Sequence, residues 1–222
     1  MNIKSMKENT ITIKGFIFDL DETLIDSKDS IIEYHRRLFE FLGIEYKKEH
    51  SYWFYTLPAE EISNRLFPDD KLRERAKEFR YSFNPSDLFH MIKLKPGVPD
   101  ILQQLKENKY KIGLVTNRGI STRPLLKNKD LTKYFDKIVP ANEVPLNKPD
   151  PYPINYILDE WNILKEETVY IGDSEVDIEC GNRAGVHTVT VGRKFDNVMY
   201  IDTLNEIHKL TDKLENLSYN RG

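Results

Sequence analysis

Residues 16–25 read FIFDLDETLI: three apolar side chains, Phe16, Ile17 and Phe18, run directly into Asp19, Leu20 and Asp21. The apolar run has the character of a buried strand. Two carboxylates one residue apart raise each other's cost unless a cation or a proton stands between them. The stretch is therefore either an acidic turn or one side of a site, and residues far along the chain decide which.

Extended back to residue 11, the run becomes ITIKGFIF, the first of five predicted strands. The others are 111–116 KIGLVT, 137–139 KIV, 168–172 TVYIG and 188–191 TVTV. Most segments between them after residue 94 read as helices. Val98, Ile101, Leu102 and Leu105 recur at helical spacing within 98–108. Asp150 followed by Pro151 reads as an N-cap with proline at the first helical position, opening a helix over 151–164. Ser174 opens another that ends near Gly185. Strands alternating with helices predict an α/β fold with a doubly wound, Rossmann-like parallel sheet. Such sheets bind ligands beyond the carboxyl ends of their strands, where strand order reverses.

Between residues 27 and 93 the rhythm changes. Ile31, Tyr34, Leu38, Phe41 and Leu42 form one helical stripe, 69–83 reads as a second helix, and a shorter one is predicted over 59–67. Nothing there reads as a central strand. The organisation that follows is an α/β core of residues 1–26 and 94–222 with a helical cap inserted at 27–93, rejoining the core near the turn at Pro96 and Gly97. Tyr52, Trp53, Phe54 and Tyr55 read chiefly as the cap's own small core, because an insertion of this size needs its aromatic residues for stability. Arg65, Arg73, Arg75 and Arg80 fall on several helix faces, so most of them are expected in solvent. His35, beside the stripe, reads as structural and Cys180 as a packing residue.

With 33 basic and 36 acidic residues among 222, the net charge is −3, and no block of like charge stands out. This balance speaks against nucleic-acid and membrane partners. No stretch has the length and apolarity of a membrane span, and the first residues do not read as a secretory signal. A single cysteine leaves no internal disulfide, so a reducing, cytoplasmic setting is expected. Composition fits a monomer and a dimer equally.

The predicted strand ends carry a consistent chemistry. The first ends at Asp19 and Asp21, and the second at Thr116 and Asn117, with Arg118 next. Lys148 stands in a proline-bounded loop after the third, and the fourth runs into Asp173 and Asp177 in IGDSEVD. In a parallel sheet these ends share one edge. A phosphate monoester needs its charge neutralised, its oxygens held, an in-line nucleophile and a proton for the leaving oxygen. Carboxylates from two strand ends can hold Mg²⁺, which makes a crowded acidic rim tolerable. Lys148 adds fixed positive charge, and Thr116 binds phosphoryl oxygens. One of Asp19 and Asp21 attacks to form an aspartyl-phosphate while the other moves protons. Arg118 reaches either a substrate's leaving group or a surface partner. Ser174 with Asp177 also forms a capping box, a structural use of the same residues.

The strand with DLDETL, the VTN, the lysine of NKPDP and GDSEVD together resemble, in order, the four motifs of the haloacid dehalogenase-like superfamily, in its phosphatase branch with a helical cap. The resemblance covers nearly the whole chain. It implies Asp19 as nucleophile and Asp21 as general acid/base, its main-chain carbonyl touching the metal. It also implies Thr116 and Lys148 as phosphate ligands; Asn117 and Arg118, which follow Thr116 in the chain, are expected to bind substrate from their position alone. Asp173 becomes a Mg²⁺ ligand, and Asp177 supports the metal directly or from behind. Acid at Asp21 speaks against dehalogenase and phosphonate-hydrolase activity, and Glu22 stands where many relatives have glycine.

The expected function is Mg²⁺-dependent hydrolysis of a small phosphorylated metabolite, with the cap closing over the substrate. A sugar-phosphate mutase is the alternative, and a non-catalytic binding module the more distant one. Asp19 is expected on an open rim, where its charge contributes little to packing.

Overall fold

The computed structural model describes residues 12–47, 49–50, 65–67 and 69–210. Six of its strands form one sheet: β1 (Gly15–Phe18), β4 (Lys111–Thr116), β5 (Lys137–Pro140), β6 (Thr168–Gly172), β7 (His187–Val191) and β8 (Met199–Ile201). Their order is β5-β4-β1-β6-β7-β8, and every neighbouring pair is parallel. From β1 the chain builds outward through β4 and β5 on one side and through β6, β7 and β8 on the other. The strand order therefore reverses at β1, and FIF occupies the centre of the sheet.

Side chains of a strand alternate between its two faces, so a strand covered on both sides reads as a continuous apolar run. Phe16, Ile17 and Phe18 are all fully buried. Ile17 belongs to a cluster with Val115, Val139, Tyr170 and Cys180. The same cluster takes in Ile154 and Ile157 of α5 (Tyr152–Trp161) and Ala184 of α6 (Glu175–Ala184). Phe16 points the other way and meets Tyr110 edge-on, with ring centroids 5.1 Å apart. Helix α3 (Val98–Glu107) buries Val98, Ile101, Leu102 and Leu105, the four residues of its predicted stripe. Gly113 lets the Trp161 indole approach the sheet, since a Cβ there would lie 3.0 Å from the ring.

The first strand begins at Gly15 rather than residue 11, and α5 closes at Trp161, short of the predicted 164. Asp150 does accept the Tyr152 N–H at 2.8 Å, one residue ahead of the position expected of it. Strand β8 was not foreseen: three residues, two of them half-buried, carry too little pattern to register as a strand. Among the described residues no helix is long and apolar enough to cross a membrane.

The chain divides into two compact units at Ile25/Asp26 and Lys93/Leu94. The inserted unit contains α1 (Lys28–Leu42), α2 (Asp70–Ser82) and a 3₁₀ segment at Pro85–Met91. Short strands β2 (Ile25–Asp26) and β3 (Lys93–Leu94) pair where the chain leaves and re-enters the core. The α1 stripe differs from the sequence reading in one place. Phe39 is fully buried against Leu38, Leu42, Ala76 and Phe79, whereas Phe41 is 40 % exposed. Phe41 instead carries the Arg75 guanidinium over its ring at 5.5 Å. Arg75 is not simply solvated, for it donates to the Phe41 and Leu42 carbonyls at the end of α1. Those carbonyls have no partner inside the helix, and a cation there is favourable. His35 Nδ1–H donates to the Ile31 carbonyl at 2.8 Å, and burial pushes its ring down to about 4. Tyr52, Trp53, Phe54 and Tyr55, and most of the predicted 59–67 helix, lie outside the described residues.

Candidate active site

The carboxyl ends of β1, β4 and β6 and the loop after β5 deliver their polar residues to one place. Lys148 Nζ lies 2.6 Å from Asp19 Oδ1 and 2.6 Å from Asp177 Oδ1. Asp19, Asp173 and Asp177 each offer a carboxylate oxygen within 4.8 Å of the others. Neither Asp19 nor Lys148 stands on an open rim: they are 5 % and 7 % exposed, and Asp177 is 1 % exposed. The expectation that the Asp19 charge matters little to packing is overturned, because a charge removed from water is costly unless paired.

Asp177 is the most heavily bonded of the acids. Its Oδ1 accepts from Lys148 and, at 2.7 Å, from the Tyr170 hydroxyl; its Oδ2 accepts from the Asp173 and Ser174 amides and the Ser174 hydroxyl. Ser174 Oγ accepts the Asp177 N–H in return, so the capping box is real and the same carboxylate also anchors Lys148. One carboxylate thus serves both the capping box and the contact with Lys148. Gly172 makes room for the arrangement, since a Cβ there would lie 2.4 Å from Asp177 Cβ and Cγ. Gly172→Ala is expected to displace the Asp177 carboxylate, lower thermal stability by about 1–3 kcal/mol and reduce any turnover at least tenfold. Thermal melts and rate assays on the same preparation check it, and an unperturbed variant would remove Asp177 from this role.

The charges do not balance without a further cation or proton. Three carboxylates face one ammonium, an excess of two negative charges when all are ionised. Burial pushes Asp19 up to about 8 against the pull of Lys148, and Asp177, Asp21 and Asp173 add to the rise. Burial, then the Asp177 charge, takes Asp173 up to about 7. Burial works against ionised Asp177 too, but Lys148 and its hydroxyl donors outweigh it and hold that acid below the usual carboxylate range. For Lys148 the two carboxylates outweigh burial and hold the ammonium charged.

Thr116, 3 % exposed at the end of β4, accepts the Arg118 N–H on its Oγ1 at 3.1 Å. Asn117 donates its side-chain amide to the Lys148 carbonyl at 3.0 Å, tying the lysine loop to β4. Arg118 forks Asp21, with Nε 3.0 Å from Oδ2 and Nη2 2.5 Å from Oδ1. The eight residues singled out in the sequence thus lie at the ends of β1, β4 and β6, in the loop after β5 (Lys148) and in the first turn of α6 (Asp177). Glu22 sits at φ 61°, the left-handed region that favours glycine, and its carboxylate meets Lys95 at 3.1 Å.

Two contributors escaped sequence reasoning. Tyr170 lies in the middle of an apolar strand, and the only signal was that a buried phenol needs a hydrogen-bond partner. Thr23 reaches Asp173 Oδ1 at 3.4 Å, following the acid pair in DETL. Cys180 is fully buried, its thiol pushed up to about 12 chiefly by burial, which suits packing rather than nucleophilic work.

The central parallel sheet, the inserted helical unit and the four converging strand-end segments define a hydrolase of the haloacid dehalogenase-like kind. The sequence pattern of the haloacid dehalogenase-like hydrolase family matches residues 16–191, and the chain belongs to that family. A pyrophosphatase, PpaX, of Bacillus mycoides is 30 % identical, the match covering 98 % of this chain and 100 % of that protein. The crystal structure of a haloacid dehalogenase superfamily hydrolase from Geobacter sulfurreducens is 26 % identical. It superposes with a TM-score of 0.77, covering 90 % of this chain and 96 % of its own. A Lactobacillus plantarum structure assigned as a phosphoglycolate phosphatase shares the fold at 19 % identity and a TM-score of 0.75, over 90 % of this chain and 99 % of its own.

Proposed function

We propose that this chain is a Mg²⁺-dependent phosphatase that hydrolyses a phosphate ester of a small metabolite through an aspartyl-phosphate at Asp19. The supporting observation is the buried bridge Asp19–Lys148–Asp177, which puts a fixed ammonium against the carboxylate best placed to attack. The name of the Bacillus mycoides relative, a pyrophosphatase, points to the broader class, hydrolytic phosphoryl transfer.

The donor set suits a hard divalent cation: carboxylate oxygens, no histidine or thiolate, and two unbalanced charges. Asp19 and Asp173 would hold Mg²⁺. Asp177, its oxygens already taken by five donor groups, would stand behind them; Asp21 would contribute its main-chain carbonyl. When bound, the ion neutralises the developing charge on the phosphoryl oxygens.

The chain's own residues supply the remainder. Lys148 and Thr116 Oγ1 hold the transferring phosphoryl group. Asp19 attacks through Oδ2, the oxygen that Lys148 leaves open. As the bridging P–O bond breaks, its electron pair stays on the leaving oxygen, which takes a proton from the Asp21 carboxyl. Asp21 then accepts a proton from the water that opens the phosphoenzyme, which restores Asp19 and releases phosphate.

Phosphate release from a panel of phosphorylated metabolites tests the reading. Turnover should stop in excess EDTA and return with Mg²⁺. Persistence in chelator would remove the metal, and isomerised sugar phosphate without free phosphate would overturn hydrolysis.

Metal and pH are expected to act together on stability. Asp19 and Asp173 hold protons in the folded protein up to about 8 and about 7, whereas their ordinary value is 3.8. Folding therefore takes up protons in between, and their contribution is fully present below 3.8 and lost as pH rises through 7 to 8. Metal-free protein should thus melt progressively lower between those limits, and Mg²⁺ should raise Tm more at pH 8 than at pH 5.5. Melts with and without metal check this; an equal Mg²⁺ effect at both pH values would contradict it.

A further inference from the structure

The Arg118–Asp21 pair holds the proposed acid in a posture it has to leave. Both oxygens of the Asp21 carboxylate lie against the guanidinium, at 3.0 and 2.5 Å. To meet a leaving oxygen, at least one must come away from Arg118. The backbone of Arg118 is anchored: its N–H donates to Thr116 Oγ1, and its carbonyl accepts from Thr122 Oγ1 at 2.9 Å and from the Ala141 N–H at 3.1 Å. On the Arg118 side, rearrangement is therefore confined to the side chain.

The Arg118 side chain is only 16 % exposed. A guanidinium so far removed from water is costly to leave without an anion. Among the described residues its other side-chain contact, Nη1 to Ser121 Oγ at 3.4 Å, is long and neutral. Lys148 and Thr116 already serve the transferring phosphoryl group in the mechanism above. Arg118 is then a further cation, beside the acid that must reach the leaving oxygen, and its planar fork matches a carboxylate or a phosphate in two-point geometry.

We propose that Arg118 is a specificity-determining residue that exchanges Asp21 for an anionic group on the leaving side of the substrate. The substrate class is a small phosphate ester or anhydride whose leaving group carries its own carboxylate or phosphate close to the bridging oxygen. The incoming anion takes over the fork, and the Asp21 carboxylate, freed of the guanidinium, takes up a proton from solvent and turns it toward the bridge. No bond to Arg118 forms or breaks; it passes from one anion to another while the phosphoryl group moves to Asp19. A neutral leaving group offers the guanidinium nothing, so freeing Asp21 then exposes an unpaired buried cation. This inference rests on the phosphatase reading and adds to it the charge of the group that departs.

The test compares kcat/KM for pyrophosphate, 2-phosphoglycolate and p-nitrophenyl phosphate in the wild type, Arg118→Gln and Arg118→Lys. Wild type should favour at least one of the two substrates with anionic leaving groups over the aryl ester. In Arg118→Gln the ratio of that substrate to the aryl ester should fall by about 10²-fold. Arg118→Lys keeps the charge but not the fork and should lose about tenfold, which carries the test should the Gln variant fail to fold. A collapse confined to pyrophosphate or to phosphoglycolate identifies the anion as phosphate or carboxylate. If both variants lower all three substrates equally, Arg118 only positions Asp21 and the specificity proposal is overturned. If wild type releases phosphate from none of a wide panel, the phosphatase reading itself fails, a result separate from an unchanged ratio.

Discussion

Asp19→Asn is expected to reduce kcat by about four orders of magnitude or more, the scale on which loss of a covalent nucleophile acts. The amide matches the carboxylate in shape, and its oxygen can still accept from Lys148, which lies 2.6 Å from Oδ1. What disappears is the electron pair that attacks phosphorus. Stability should move the other way. Asp19 holds a proton in the folded, metal-free protein up to about 8, so at neutral pH the neutral amide imitates the form already favoured. In chelator, the variant should melt at or above the wild type, and the gap should widen as pH rises toward 8 and the wild type loses its proton. Single-turnover rates and paired melts measure both effects. Near-normal turnover would show that another group attacks, and a variant that melts far below wild type would show that the ionised carboxylate is needed for folding.

Lys148→Met has the largest expected effect on stability. The lysine side chain is 4 % exposed and is bonded to Asp19 and Asp177, both similarly enclosed. Methionine fills most of the volume but leaves the clustered carboxylates with no ammonium. Removing one partner of a buried ion pair costs about 3–5 kcal/mol, or roughly 6–20 °C in Tm for a protein of this size. The deficit should shrink toward pH 5, where Asp19 and Asp173 carry protons, and Mg²⁺ should recover part of it by supplying positive charge. Turnover should fall about 10²–10³-fold even with saturating metal, the usual scale for losing one electrostatic donor to a phosphoryl oxygen. A Tm independent of pH and metal in this variant would show that Lys148 is not what balances the acids.

The two results bear on different features of one cluster. Asp19→Asn removes reactivity and leaves the charge balance easier, whereas Lys148→Met leaves the nucleophile and upsets the balance. A protein in which both variants lost activity but only the second lost stability would match the geometry described above.

Much of this architecture was legible along the chain. FIF, KIGLVT and TVYIG are apolar on both alternating faces, and only a covered parallel sheet accommodates such runs. Helix α3 was legible because Val98, Ile101, Leu102 and Leu105 keep one period. The α1 stripe was legible only in part: Phe39 and Phe41 are both large and apolar, and their burial depends on where α2 packs. Strand β8 was hidden by its length, its hydrogen bonds coming from β7 rather than from any pattern of its own.

Chain order and local chemistry by themselves determined which residue types stand at the strand ends, because burial ends where the apolar alternation ends. The partners and the burial of those residues were decided only by the tertiary structure. Lys148 meets Asp19 across 129 positions, and Arg118 meets Asp21 across 97. Such pairings carry no local signature, since electrostatic energy depends on distance and dielectric surroundings, and folding alone sets both.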